Sequence, residues 1–191
     1  MYPSSIMAAM VRVLGLLAAI AMLPAARAGV ADCACDPGDP ATMQARQCSL
    51  SREALAHPAE VLVFFLKDAN PNKPNRLLAL PRAVRKGVHT LTDMTPAERA
   101  HFWTITIQKA RETWGEAWGL AVNGEEMRTQ CQPHIHIGKF LPAAETRNFI
   151  VVDGPAQIPV PKDGSGLWVH PQGDKLHVHL GEQLTETVLL R

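Results

Sequence analysis

The stretch Gln130-Cys131-Gln132-Pro133-His134-Ile135-His136-Ile137-Gly138 alternates polar Gln132, His134 and His136 with Pro133, Ile135 and Ile137. A period of two belongs to a β-strand whose faces meet different surroundings, so one face carries imidazoles and the other packs inward. Side chains on the same face stand about 6 to 7 Å apart, close enough for two imidazoles and an amide to act on one small group. A neutral imidazole is a nucleophile toward phosphorus when its other nitrogen keeps the proton, and a backbone carbonyl accepting from Nδ1 would fix that tautomer. A second histidine two residues on can bind the transferring phosphate or protonate the leaving oxygen.

The surroundings suit an anion. Asn123, at a turn that ends the preceding strand, is a candidate phosphate-contacting amide, and Lys73, Arg76, Arg128 and Lys139 supply local positive charge. The chain as a whole carries a formal charge of only +1 over 191 residues, which excludes the basic surface that non-specific nucleic-acid binding needs. A second His-x-His, His177/His179, follows His170 near the C-terminus. It reads equally as a half-exposed strand face or, with His134 and His136, as a source of metal ligands.

Working outward, Glu60 to Lys67 is an apolar, aromatic strand ending at Asp68, Asn70 to Asn75 a turn, and Leu77 to Leu80 a second strand closed by Pro81. After a basic connecting loop, Arg82 to Asp93, a helix is announced by Thr95 at the N-cap, Pro96 at the first position and Glu98 three residues past the cap. Gly115 is its C-terminal stop, and Trp103, Ile107, Ala110 and Trp114 thicken its buried side. Trp118 to Val122 precedes the histidine strand. Phe149 to Val152, then the hairpin Leu167 to His170 and Lys175 to Leu180, follow it, and Thr185 to Leu190 closes the chain. One main helix against strands in hairpin order predicts an α+β fold with an antiparallel sheet.

The N-terminus reads as an export signal. Arg12 precedes an apolar run from Val13 to Leu23, then Pro24 and Ala26-Arg27-Ala28, the pattern of a signal peptide over residues 1–28 cleaved after Ala28. Residues 29–191 then form a single domain, whose first part, Gly29 to about His57, is an extended arm with a short helix at Ser51 to Ala56. In an oxidising compartment Cys33, Cys35, Cys48 and Cys131 are expected to form two disulfides that staple this arm. Cys33 and Cys35 are too close to pair attractively, so one bridges to Cys48 and the other to Cys131, the assignment between them open. A zinc site on the four thiolates is the competing reading.

Phe64-Phe65-Leu66-Lys67-Asp68, then Leu78-Ala79-Leu80-Pro81-Arg82, a helix, Asn123 and Gln132-Pro-His134-Ile-His136-Ile together resemble the histidine triad (HIT) superfamily. With the signal peptide and the cysteines, the likeness is greatest to its exported CDP-diacylglycerol pyrophosphatase branch. The resemblance covers roughly Val61 to Phe140. It implies a HIT-like sheet with one main helix packed on it, to which the C-terminal strands are extra. It also implies hydrolysis through a covalent nucleotidyl-histidine, with no cofactor and no obligatory metal, on a nucleotide-linked small molecule or lipid such as CDP-diacylglycerol. A transient contact with a membrane surface and a homodimer are compatible with it. The nucleophile falls on His134, the third histidine on His136, and Gln132 stands where the first would be. Asp68 and Arg82 fall on the family's strand-Asp and basic positions, while Val84 stands where many relatives carry a histidine. An alternative register makes His136 the nucleophile and puts Gly138 third; the first register keeps a polar side chain at all three positions. The other readings are a nucleotide-binding module without turnover and a metal-binding exported protein.

Overall fold

The computed structural model describes residues 33–191, so the expected signal peptide lies outside the described residues. Seven strands form one antiparallel sheet in the order β1-β2-β4-β3-β6-β7-β5. They are β1 (Val63–Lys67), β2 (Leu77–Pro81), β3 (Trp118–Val122), β4 (Ile135–Lys139), β5 (Ile150–Val152), β6 (Gly166–Gln172) and β7 (Lys175–Glu182). Two helices accompany them, α1 (Ser49–Ala56) and α2 (Pro96–Trp114). The fold is α+β, as the hairpin order of strands predicts.

α2 begins as its sequence dictates. The Thr95 side chain accepts from the Glu98 N–H while the Glu98 carboxylate accepts from the Thr95 N–H, so two orphan donors are satisfied reciprocally. Gly115, at φ 57°, ends it in a conformation that side chains with a Cβ resist. Phe102, Trp103, Ile107 and Ala110 are buried against the sheet face that carries Leu120, Ile135, Ile137, Val169 and Val178. The period-two pattern therefore delivers its inward half to this core, and burying each large side chain contributes about 1.5 to 3 kcal/mol.

Among the described residues no long helix covers the opposite face. α1 packs Ala54 against Phe64, Leu78 and Leu80 at one end of it. Across the middle runs the C-terminal segment, which forms a short 3-10 turn, Thr185–Val188, and a single bridge from Leu189 to Phe140 rather than another strand. Two glycines make room for it. A Cβ at Gly119 would lie 2.7 Å from Leu189 Cδ2, and one at Gly138 would lie 3.2 Å from Leu189 Cβ. Cys33 pairs with Cys131 and Cys35 with Cys48, which settles the open assignment and corrects the thiolate-zinc reading, since all four sulfurs are spent. The arm is thereby tied directly to the residue preceding Gln132. Two disulfides fit an oxidising compartment, consistent with export. Among the described residues no helix is long and apolar enough to cross a membrane.

Candidate active site

β4 starts at Ile135, three residues later than the alternation predicts. Pro133 has no N–H to give a ladder, and the Gln132 carbonyl is taken by side chains: His134 Nδ1 lies 2.8 Å from it and Arg128 Nη2 3.2 Å. The His134 and His136 rings nevertheless face one another, centroids 5.2 Å apart and planes at 73°. Both are buried.

Gln132 is 1% exposed and its side chain is fully used. Its Nε2 donates to the carbonyls of Pro81 (2.8 Å) and Ala83 (3.0 Å), and its Oε1 accepts from Ser51 Oγ (3.3 Å). It joins α1, the end of β2 and the lead into β4, and so fixes the carbonyl that His134 addresses. Arg128 works beside it, giving Nη2 to the carbonyls of His89 (2.6 Å) and Gln130 (3.3 Å) as well. Burial lowers the Arg128 guanidinium to about 10, still charged at neutral pH.

Burial, reinforced by Arg128 and by His136, holds the His134 pKa well below the ordinary histidine value. Burial likewise lowers His136 to about 3, with Lys73, Arg76 and Arg128 acting in the same direction. Both imidazoles are therefore neutral at pH 7. In His134 the proton sits on Nδ1, donated to the carbonyl, and the lone pair is on Nε2. Neither ring nitrogen of His136 has a hydrogen-bond partner, although Nδ1 lies 3.6 Å from Glu186 Oε2.

Glu186 is a site residue that sequence reading missed. Its Oε2 pairs with Lys73 Nζ at 2.6 Å and Arg76 Nη1 at 2.7 Å. Arg76, 1% exposed, also donates to the carbonyls of Glu186, Leu189 and Leu190; it anchors the C-terminal segment and lies behind the site. Asn123 does similar work. Its Oδ1 accepts from the Thr185 and Glu186 N–H groups and the Thr185 hydroxyl, so that oxygen is committed to the turn that presents Glu186. Asp68 stands 4.0 Å from Lys73. Lys139 alternates with His136 on β4, is exposed, and does not line the cleft.

Both histidines open on a cleft of about 460 Å³. Arg46, Lys73, Arg128, Asp68 and Glu186 line it, and Leu50 and Met127 give it apolar wall. Arg46, from the disulfide-tied arm, carried no motif in the sequence. Asp68, His136 and Glu186 bring three potential ligand atoms within 4.8 Å of one another, but the Glu186 carboxylate already has two cations, so the trio reads as an ion-pair network. A separate apolar cavity of about 320 Å³, bounded by Leu62, Met94 and Phe102, holds no paired imidazoles. No protein-family model and no curated protein matches the chain. The geometry of the cleft is what supports a function.

Proposed function

We propose that the chain is an exported phosphoanhydride hydrolase of the histidine triad kind, which takes a nucleotidyl group onto His134 and passes it to water. The observation that carries this reading is the 2.8 Å contact between His134 Nδ1 and the Gln132 carbonyl in a buried, neutral imidazole. It is the tautomer a phosphorus nucleophile needs, held at the edge of a cleft lined by cations. Nε2 attacks the phosphorus that bears the nucleoside; a P–N bond forms while the anhydride P–O bond breaks, and the second phosphate leaves with the electron pair. Water then attacks the phosphoimidazole and gives up a proton to solvent, the P–N bond breaks, the electron pair returns to Nε2, and a nucleoside monophosphate is released. His136 can donate one N–H to a phosphate oxygen, while Lys73 and Arg128 offset negative charge. Gln132 is a positioning residue. The leaving group of the substrate class is a phosphate ester, as in CDP-diacylglycerol, which would bring the enzyme briefly to a membrane surface.

A second reading, a nucleotide-binding module without turnover, is favoured by Glu186. Its carboxylate lies between Lys73, Arg76 and His136, where a phosphate oxygen would otherwise collect those charges. Trapping with a nucleotide conjugate under neutral or alkaline denaturing conditions, which spare an acid-labile P–N bond, followed by mass spectrometry of the purified full chain, separates the two. The expected result is one nucleotidyl group on His134, absent in His134→Ala. Binding without release of nucleoside monophosphate would establish the second reading, and release undiminished from the parent chain in both His134→Ala and His136→Ala would remove the first.

A further inference from the structure

The second histidine pair does not face the cleft. His170 stands directly across from His177 in the β6–β7 ladder, and Trp168 across from His179, so the three histidines share the face opposite α2. His136 lies in the same row, through Ala121 and Trp168. Three strand spacings of about 4.8 Å put roughly 14 Å between the two groups. The loop after β4 brings Glu145 onto the histidines. Its carboxylate oxygens lie 2.6 Å from His170 Nε2, 3.3 Å from His179 Nε2 and 3.6 Å from His177 Nδ1.

We propose that Glu145, His170, His177 and His179 form a binding site for one first-row divalent transition ion, zinc by its donor set. One atom from each residue converges, all four within 4.8 Å of one another. The side chains of His170 and His179 are 5% and 1% exposed. Their Nε2 atoms, like His177 Nδ1, make no hydrogen bond, although all three approach the Glu145 carboxylate. Buried nitrogens are rarely left in that state unless something is meant to occupy the point between them.

The rings are also aimed. His170 Nδ1 is 3.1 Å from the Pro171 carbonyl, to which it donates, so its lone pair lies on Nε2. His179 Nδ1 pairs with Thr146 Oγ1 at 3.0 Å. Metal-bound histidines are usually held this way, one nitrogen engaged by an outer group and the other given to the ion. Stacking fixes the planes: His179 on Trp168 at 3.4 Å, His170 on Phe140 at 4.2 Å, His177 on Phe149 at 3.9 Å. Three imidazoles and one carboxylate suit zinc and its neighbours, whereas calcium and magnesium require oxygen ligands throughout. A bound ion would tie the loop holding Glu145 to the C-terminal hairpin.

The test uses the purified full chain, stripped with a chelator and titrated with zinc chloride by calorimetry, with metal content read by mass spectrometry. One zinc per chain and a rise in melting temperature of roughly 5 °C or more at saturation are expected. Cobalt(II) should give the intense visible absorption of a four-coordinate site. His177→Ala and Glu145→Gln alter partly exposed side chains and should each weaken zinc at least tenfold, with the fold confirmed by far-ultraviolet circular dichroism. His136→Ala should leave it unchanged. No stoichiometric zinc in the parent chain, or full affinity in both variants, overturns the site. Loss of zinc in His136→Ala with retention in His177→Ala would assign the ion to the cleft instead and equally overturn it.

Discussion

Replacing Gln132 by leucine substitutes a side chain one carbon shorter and removes all its hydrogen bonds. Two buried carbonyls, Pro81 O at 2.8 Å and Ala83 O at 3.0 Å, lose their donor, and Ser51 Oγ loses an acceptor at 3.3 Å. Unmaking a buried hydrogen bond on one side costs about 1 to 3 kcal/mol. Two short bonds at the lower end and a long one at about half that give a loss near 2.5 kcal/mol. For a chain of this size that is roughly 5 to 10 °C in melting temperature. Gln132→Glu is the sharper control. It also lacks both donors and in addition turns carboxylate oxygens toward two carbonyls, so it should be less stable than the leucine variant although it is closer in shape. Urea denaturation at pH 7.5 gives both numbers with the parent as reference. A leucine variant within 1 kcal/mol of the parent, or a glutamate variant no worse than leucine, would refute the bonding role assigned to Gln132.

Acid should destabilise the fold well before carboxylates titrate. The unfolded chain takes a proton on His136 near 6.5 and the folded chain only near 3, so this group's contribution is complete above 6.5 and is lost as pH falls toward 3, at about 1.4 kcal/mol per unit. His134 shifts the same way, and denaturation at pH 7.5 and pH 5 should differ by at least about 2 kcal/mol; equal stabilities would contradict neutral burial. Turnover, if it depends on neutral His134, should show no acid limb near 6.5 in kcat. The two disulfides should differ in value, since Cys33–Cys131 spans 98 residues and Cys35–Cys48 spans 13. Chain-entropy reasoning gives about 4.7 against about 2.9 kcal/mol, so the double serine variant of the first pair should melt lower, and a reversed order in thermal melts would count against the arm being held chiefly by Cys131.

The elements were legible where local chemistry and tertiary packing agree. The Thr95–Glu98 box marks the start of α2 because both of its bonds are local, and the β6–β7 hairpin follows from Gly173 at its turn, at φ 62°. The start of β4 was misplaced because alternation continues through Gln132 and His134 while the ladder does not, Pro133 being unable to donate. Within the site, sequence identified which residues carry nitrogen and charge but not what they bond. Arg76 and Asn123 read as substrate contacts by type, yet the tail that returns from Thr185 to Leu190 absorbs the Arg76 guanidinium and the Asn123 oxygen. Glu186 and Arg46 were invisible because their places depend on that tail and on the disulfide-tied arm, contacts of long sequence separation with no local pattern. The kind of partner expected for His134 Nδ1, a backbone carbonyl, is the kind found, and it belongs to Gln132, two residues earlier.

The tail also explains why the two histidine groups are separate. Leu189 lies over Gly119 and Gly138, two residues along β3 and β4 from the Ala121–His136 pair, so the sheet face is divided between a cleft beside β2 and a histidine cluster beside β7. The same crowding bears on position 138. A Cβ there would lie 3.2 Å from Leu189 Cβ, so a larger side chain would press on the tail that carries Glu186. The two halves remain mechanically joined. Leu141 N–H donates to the Val188 carbonyl at 2.9 Å, four residues before Glu145 and two after Glu186. An ion held by Glu145 would therefore stiffen the strap that sets the position of Glu186, and with it the charge that Lys73 presents to the cleft.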